Sequence, residues 1–308
     1  MPGHTLTRVL TCCLFPVALL MSFVSGSGRV VFEGPVQSRV LGTNRIVRIY
    51  LPPSYEQQSR KHYPVLYLHD GQNVFTTVGD RVAFGWGNWH LDETVTELSK
   101  ARKMEEIIMV AVDCGPERYL DYRGPVPPGE NSRFEKYARF LIEELKPKID
   151  LEYRSRREAA NTGSMGSSMG GICSLALAWE HPEVFGQAAS LSGAFQVERK
   201  FFLKNILSEY RGSRKRFRIY LDSGITDFSG GDDGRRDTDA IAAELRRIGW
   251  KDGKDLLHYV DAELLKEPDL ERSGLRRDKW KETQISQHNE LYWRIRAWRA
   301  LTFLFPPP

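Results

Sequence analysis

The chain has 308 residues, of which 41% are hydrophobic and 27% charged, and its formal net charge is +4. That is ordinary globular composition with enough apolar side chains for one large core. Acids and bases interleave along the whole length rather than gathering into an arm or stripe, so nucleic acid is not an expected partner.

Residues 1–26 read as a secretory leader. A short positive start ending at Arg8 precedes an apolar run from Val9 to Val24, and small residues surround Gly26, where a signal peptidase would cut. The run is short for a full membrane span and contains Pro16, so release as a secreted or periplasmic protein is expected over anchoring by an uncleaved leader. Cys12 and Cys13 leave with it. Cys114 and Cys173 stay in the mature chain, where pairing and burial as small apolar residues are both open.

Asn44 to Leu51 alternates apolar and polar positions, as a half-exposed antiparallel outer strand does, and Pro52-Pro53 ends it. The runs Pro64 to Asp70 and Ile107 to Asp113 are continuously apolar, which suits parallel strands covered on both faces. Ser132 to Asp150 predicts a helix: Ser132 and Glu135 form a capping-box pattern, and Phe134, Tyr137, Ala138, Leu141 and Leu145 recur at helical spacing. A strand over Ala159 to Met165 leads into a glycine-rich turn and a helix from about Met169 to Glu180. Short strands follow at Ala188 to Ser192, Phe217 to Leu221 and Leu256 to Val260, with helical stretches near Glu198 to Tyr210 and Thr238 to Ile248 and a last helix over Asn289 to Phe303. Strands alternating with helices imply an α/β fold with a mostly parallel central sheet wrapped on both sides. No linker or repeat divides the series, so residues 30–306 are expected to form one domain.

The strongest chemical signal is Gly166-Ser167-Ser168-Met169-Gly170-Gly171 between a strand and a helix. A G-x-S-x-G string in that setting is a nucleophile elbow, a turn so tight that small residues must flank a serine held above the sheet. Ser168 is therefore the candidate nucleophile. A serine hydroxyl needs a base to take its proton, and in this arrangement the chain order is serine, acid, histidine. His181, His258 and His288 follow Ser168. His181 sits at a helix end before Pro182 and His258 lies in an apolar strand, whereas His288 follows a polar loop and opens the last helix, so it is the expected base. Asp222 and Asp227 are the candidate acids on the intervening loop. Asp227 lies further from the strand end and is favoured, while Asp232 and Asp233 read as solvated loop carboxylates that lack the spaced ligands of a cation loop. No metal or cofactor is expected.

A tetrahedral oxyanion needs two backbone N–H donors. Met169 should supply one, and Gly71 or Gln72, after the first central strand, the other. Trp86 and Trp89 belong to an aromatic patch that reads equally as packing or as the wall of a substrate pocket. Arg118 and Tyr122 lie on a loop opening at the same edge, where they would contact the acyl or leaving group or form a surface pair.

These motifs carry a family resemblance. LPPSY (Leu51 to Tyr55), YPVLYLHDGQNVF (Tyr63 to Phe75), ELKPKID (Glu144 to Asp150), GSSMGG, HPEVFG (His181 to Gly186), LDSGITD (Leu221 to Asp227) and the run from His288 to Pro306 resemble the putative esterase family. That family holds esterase D-like enzymes, siderophore esterases of the enterobactin type, feruloyl and acetyl-xylan esterases, and mycolyltransferases. The resemblance covers nearly all of the mature chain. It implies an α/β-hydrolase fold, metal-independent hydrolysis of small-molecule or polysaccharide-linked esters through an acyl-enzyme, and Ser168, Asp227 and His288 as the catalytic triad. An acyltransferase on the same fold and a noncatalytic envelope-binding homologue are the alternatives.

Overall fold

The computed structural model describes residues 27–130 and 132–308. The expected leader, residues 1–26, lies outside the described residues. The strands are β1 (Arg29–Ser38), β2 (Thr43–Leu51), β3 (Val65–His69), β4 (Ile108–Val112), β5 (Thr162–Ser167), β6 (Gln187–Leu191), β7 (Arg218–Ser223) and β8 (Leu256–Val260). They form one sheet in the order β1-β2-β4-β3-β5-β6-β7-β8. β2 pairs antiparallel with both β1 and β4, and every pair from β4 onward is parallel.

The continuous apolar runs are central strands for the reason the sequence suggests. In β3, Val65 and Tyr67 point into one buried layer and Leu66 and Leu68 into the other; in β4, Ile108, Val110 and Val112 oppose Met109 and Ala111. Period-two alternation puts successive side chains on opposite faces, and helices cover both. The helical run that opens at Phe134–Arg139 continues through a π-type segment, Phe140–Leu145, to Lys146–Glu152. Its expected capping box does not form: the Arg133 cap position makes no side-chain cap, and the buried Ser132 hydroxyl has no hydrogen-bond partner among the described residues. The outer strand β1, which packs against β2 with an irregularity between Val30 and Phe32, is not part of the sequence reading.

The strand order decides where a site can form. From β3 the chain crosses to β4 on one side, then passes back over β3 to β5 and builds outward on the other side. Such a reversal leaves a crevice at the carboxyl ends of the two strands. The loop after β3 and the turn after β5 meet there.

Candidate active site

Ser168 occupies the turn between β5 and the helix Met169–Glu180, with φ 51° and ψ −119°. Few side chains adopt that backbone, and its persistence needs surroundings that hold it. The Ser168 N–H donates to the Leu191 carbonyl at 2.9 Å, and its own carbonyl accepts from Gly171 at 3.0 Å and Ala194 at 2.9 Å. The flanking glycines are required sterically: a Cβ on Gly166 would lie 2.7 Å from the Gly170 backbone, and one on Gly171 would lie 2.6 Å from Ser190 Oγ. The small residues around Ser168 are those that its tight turn requires.

After β3, Asp70 adopts a left-handed conformation, φ 55°, and the next three residues form a short 3-10 turn. Gly71 passes so close to β4 that a Cβ would meet the Ala111 and Val112 backbone at 2.8 Å. Gln72 ties this turn to the end of β4 by accepting the Cys114 N–H on Oε1 at 3.1 Å and donating Nε2 to Cys114 Sγ at 3.2 Å. Beneath the turn, His69 bridges Tyr137 Oη and Ser164 Oγ, both at 2.9 Å, and complete burial pushes its imidazole down to about 4. It is neutral at ordinary pH and joins the loop after β3 to the strand that leads into Ser168. Met169 opens the helix after the Ser168 turn, and Gly71 and Gln72 open the 3-10 turn after β3, so the first amides of both elements lie at this edge of the sheet.

His288 precedes the last helix, Glu290–Leu304, whose cap residue Asn289 accepts the Tyr292 N–H at 3.2 Å. The imidazole packs edge-on to Trp293, with ring centroids 5.0 Å apart at 81°. Its Nδ1 lies 2.6 Å from Oδ1 of Asp233, a fully buried carboxylate.

The carboxylate that meets His288 is thus Asp233, and not Asp227 as expected. Asp227 folds back on its own turn, where Oδ1 accepts from Ser229 N at 2.9 Å, Ser229 Oγ at 2.7 Å and Gly231 N at 2.8 Å. Partial burial pushes this carboxyl up, but those hydrogen bonds outweigh it and hold the group below its ordinary value. Asp233, read as solvated, instead sits under the imidazole because Asp233 and Gly234 both take left-handed backbone, φ 54° and 69°, and so turn the chain inward before the helix Arg235–Ile248. Oδ2 of Asp233 accepts from Ser192 Oγ at 2.7 Å and Gly224 N at 2.5 Å. Asp222, the other carboxylate weighed, is buried at the end of β7 and accepts the Tyr220 hydroxyl at 2.8 Å. The other two histidines pair elsewhere, His181 with Glu183 and His258 with Asp239.

Ser168 and His288 line one cleft of about 460 Å³ together with Gln72, Trp86, Trp89 and Arg118. Phe84, 95% exposed, and Phe228, 51% exposed, stand at its rim, and Trp293 forms part of its wall. The cleft is thus aromatic on one side. On the other, Arg118 makes a two-point ion pair with Asp70, Nε to Oδ1 at 2.6 Å and Nη2 to Oδ2 at 2.7 Å. Tyr122 is not a lining residue: it is buried beneath this pair, its hydroxyl accepting the Asp70 N–H at 3.3 Å and its ring under the Arg118 guanidinium at 5.5 Å. Glu290, unanticipated from the sequence, also lines the cleft and accepts from Asn73 Nδ2 at 3.2 Å; burial pushes its carboxyl up to about 7.

Cys114 and Cys173 are both free thiols. Among the described residues no group of three histidine, cysteine or carboxylate side chains is placed to hold a metal ion, and no helix is long and apolar enough to cross a membrane.

Comparison with solved structures gives the same architecture. A ferulic acid esterase superposes with a TM-score of 0.64 at 19% identity, covering 91% of this chain and 98% of that one. The enterobactin esterase from Shigella flexneri superposes with a TM-score of 0.64 at 19% identity over 90% of this chain and 58% of its own. Both are likenesses of fold, and the sheet is that of the α/β hydrolases. Among curated relatives, the ferri-bacillibactin esterase BesA of Bacillus subtilis is 26% identical over 177 residues, 52% of this chain and 58% of that protein. The chain spans a little over half the length of the first curated relatives it matches. The model of the family described as putative esterase matches residues 38–266, well over half of the chain, and the protein belongs to that family.

Proposed function

We propose that residues 30–306 form one catalytic domain of a serine carboxylic ester hydrolase, exported by its leader, in which Ser168, His288 and Asp233 act as the triad. The observation that carries this reading is the strained Ser168 elbow sharing a cleft with an imidazole whose Nδ1 is held by a buried carboxylate.

Asp233 fixes the Nδ1–H tautomer, leaving Nε2 to accept the Ser168 proton. Ser168 Oγ then attacks the ester carbonyl carbon, and the carbonyl π electrons move to oxygen. Met169 N–H and the Gln72 or Gly71 N–H receive that oxyanion; one such donor is worth about a hundred- to a thousandfold in rate. Collapse breaks the bond to the alcohol oxygen, which takes the proton from His288, and leaves an acyl-serine. Water, deprotonated by the same imidazole, releases the acid and restores Ser168.

Trp86, Trp89, Phe228 and Trp293 offer flat apolar surface to the substrate, while Arg118, Gln72 and Asn73 offer polar groups. A neutral ester with an aromatic or hydroxylated aromatic acyl group suits that wall. The comparison proteins named for ferulic acid and ferri-bacillibactin esterases support the same substrate class.

The test is turnover of a nitrophenyl ester and labelling by a fluorophosphonate probe. Both should be lost in Ser168→Ala; turnover by that variant at the wild-type rate overturns the assignment. Export predicts a mature N-terminus close to residue 27, read by mass spectrometry of the protein expressed in full.

A further inference from the structure

Directly below Asp233 lies a guanidinium that the mechanism above does not use. Arg296 reaches inward from the last helix, two turns beyond His288, and its side chain is 0% exposed. Its Nη2 donates to Ser192 Oγ at 2.7 Å and lies 3.2 Å from Asp222 Oδ1. Its Nη1 lies 3.9 Å from Asp233 Oδ2 and 3.9 Å from Asp261 Oδ2. One buried cation therefore serves two fully buried carboxylates, Asp222 and Asp233, with Asp261 at the margin.

We propose that Arg296 is a positioning residue whose charge keeps Asp222 and Asp233 ionised together, so that Asp233 stays an acceptor toward His288. The inference rests on the triad assigned above and adds a requirement to it.

The hydrogen-bond directions explain why ionisation matters. Trp293 Nε1 donates to Ser192 Oγ at 3.0 Å and Arg296 donates to the same oxygen, so Ser192 directs its single proton to Asp233 Oδ2. Gly224 N also donates to Oδ2. A proton added to Asp233 can then sit only on Oδ1, facing His288 Nδ1. There it would donate to the imidazole and leave the hydrogen on Nε2, the tautomer that cannot take the Ser168 proton. Two carboxylates sharing a dry site without a cation cannot both ionise. The guanidinium itself is poorly satisfied: Nε and Nη1 make no hydrogen bond among the described residues. A buried ion with unpartnered nitrogens costs stability, so packing alone would be better served by an apolar side chain.

The other charged or titratable groups facing the cluster are Tyr220 on β7, Asp261 after β8, and Tyr292 and Arg299 one turn either side on the last helix. His288 helps to lower the Asp227 carboxyl through space.

The experiment is the pH dependence of kcat/KM for wild type, Arg296→Met, Arg296→Lys and the charge-balanced double variant Asp222→Asn/Arg296→Met, each checked for a cooperative melt. Arg296→Met should move the acid limb upward by about one pH unit or more, lowering activity about tenfold below the midpoint. Arg296→Lys should restore most of it, and the double variant should return the limb to its wild-type position. The 15N shifts of His288 in a Ser168→Ala background should report the Nε2–H tautomer at pH 6 for Arg296→Met alone. A folded Arg296→Met protein with an unmoved limb and an unchanged tautomer overturns the proposal. So does a double variant that keeps the displaced limb; if the single variant does not fold, the double variant decides. Absence of turnover in wild type would instead overturn the esterase reading, which separates the two failures.

Discussion

Glu290 offers a quantitative test of the cleft's electrostatics. It is the first residue of the last helix, where the helix dipole and its own backbone N–H favour a carboxylate, and Asn73 donates to it at 3.2 Å. Burial nevertheless wins and pushes the group from 4.5 up to about 7. The folded value lies above the unfolded one, so between pH 4.5 and 7 the native state holds a proton that the unfolded chain has released. Stability therefore falls as pH rises through that window and stays low above it. Linkage at 1.36 kcal/mol per pH unit gives a loss of about 2–3 kcal/mol between pH 5 and pH 8 from this group alone. Glu290→Gln keeps shape and hydrogen bonding but cannot ionise. Urea unfolding at the two pH values should show the variant gaining about 2–3 kcal/mol on wild type between pH 5 and pH 8. Other titrating groups cancel in the difference. Wild-type and variant curves that run parallel across the range would refute the reasoning, because they would mean that Glu290 is as well solvated in the native cleft as in the unfolded chain.

The assignment of the acid gives a contrast of two substitutions. Asp233→Asn should lower kcat by about 10³- to 10⁴-fold by spoiling the His288 tautomer, while Asp227→Asn, which loosens only its own turn, should cost less than about tenfold; steady-state kinetics on one ester decides. Gly71→Ala forces a Cβ to within 2.8 Å of β4 backbone that cannot swing aside, so it should lower stability by about 1–3 kcal/mol in thermal melts and slow turnover by displacing the Gln72 amide. Burial pushes the Cys114 thiol up to about 11, so alkylation by iodoacetamide should be slow at pH 7.5 and accelerate about tenfold per unit as pH rises toward 10. Fast labelling near neutrality would place that thiol in a more polar setting than the cleft provides.

How much of this was legible beforehand follows from the range of the interactions. The central strands could be read because burial on both faces imposes unbroken apolar runs such as Val65–His69 and Ile108–Val112. The elbow could be read because its sterics are local: residues 166 to 171 must be small where they touch one another and β6. His288 followed from chain order and its place before a helix. Which carboxylate would meet His288 could not be read, since the loop after β7 offers Asp227, Asp232 and Asp233 within seven residues. The choice among them is made by a left-handed turn at Asp233-Gly234 and by donors from Ser192 and Gly224. Tyr122 was misjudged for a related reason, because whether a loop tyrosine faces the cleft or lies under it depends on where Asp70 and Arg118 meet. Arg296 and Glu290 look in the sequence like ordinary surface positions of the last helix, whose three turns after His288 carry arginines at 294, 296 and 299. Periodicity and local sterics are written along the chain and survive without the fold. Which charges are taken out of water, and which partners they meet there, is fixed only when distant segments close over them, and in this protein that closure turns the chemistry-bearing residues into a site.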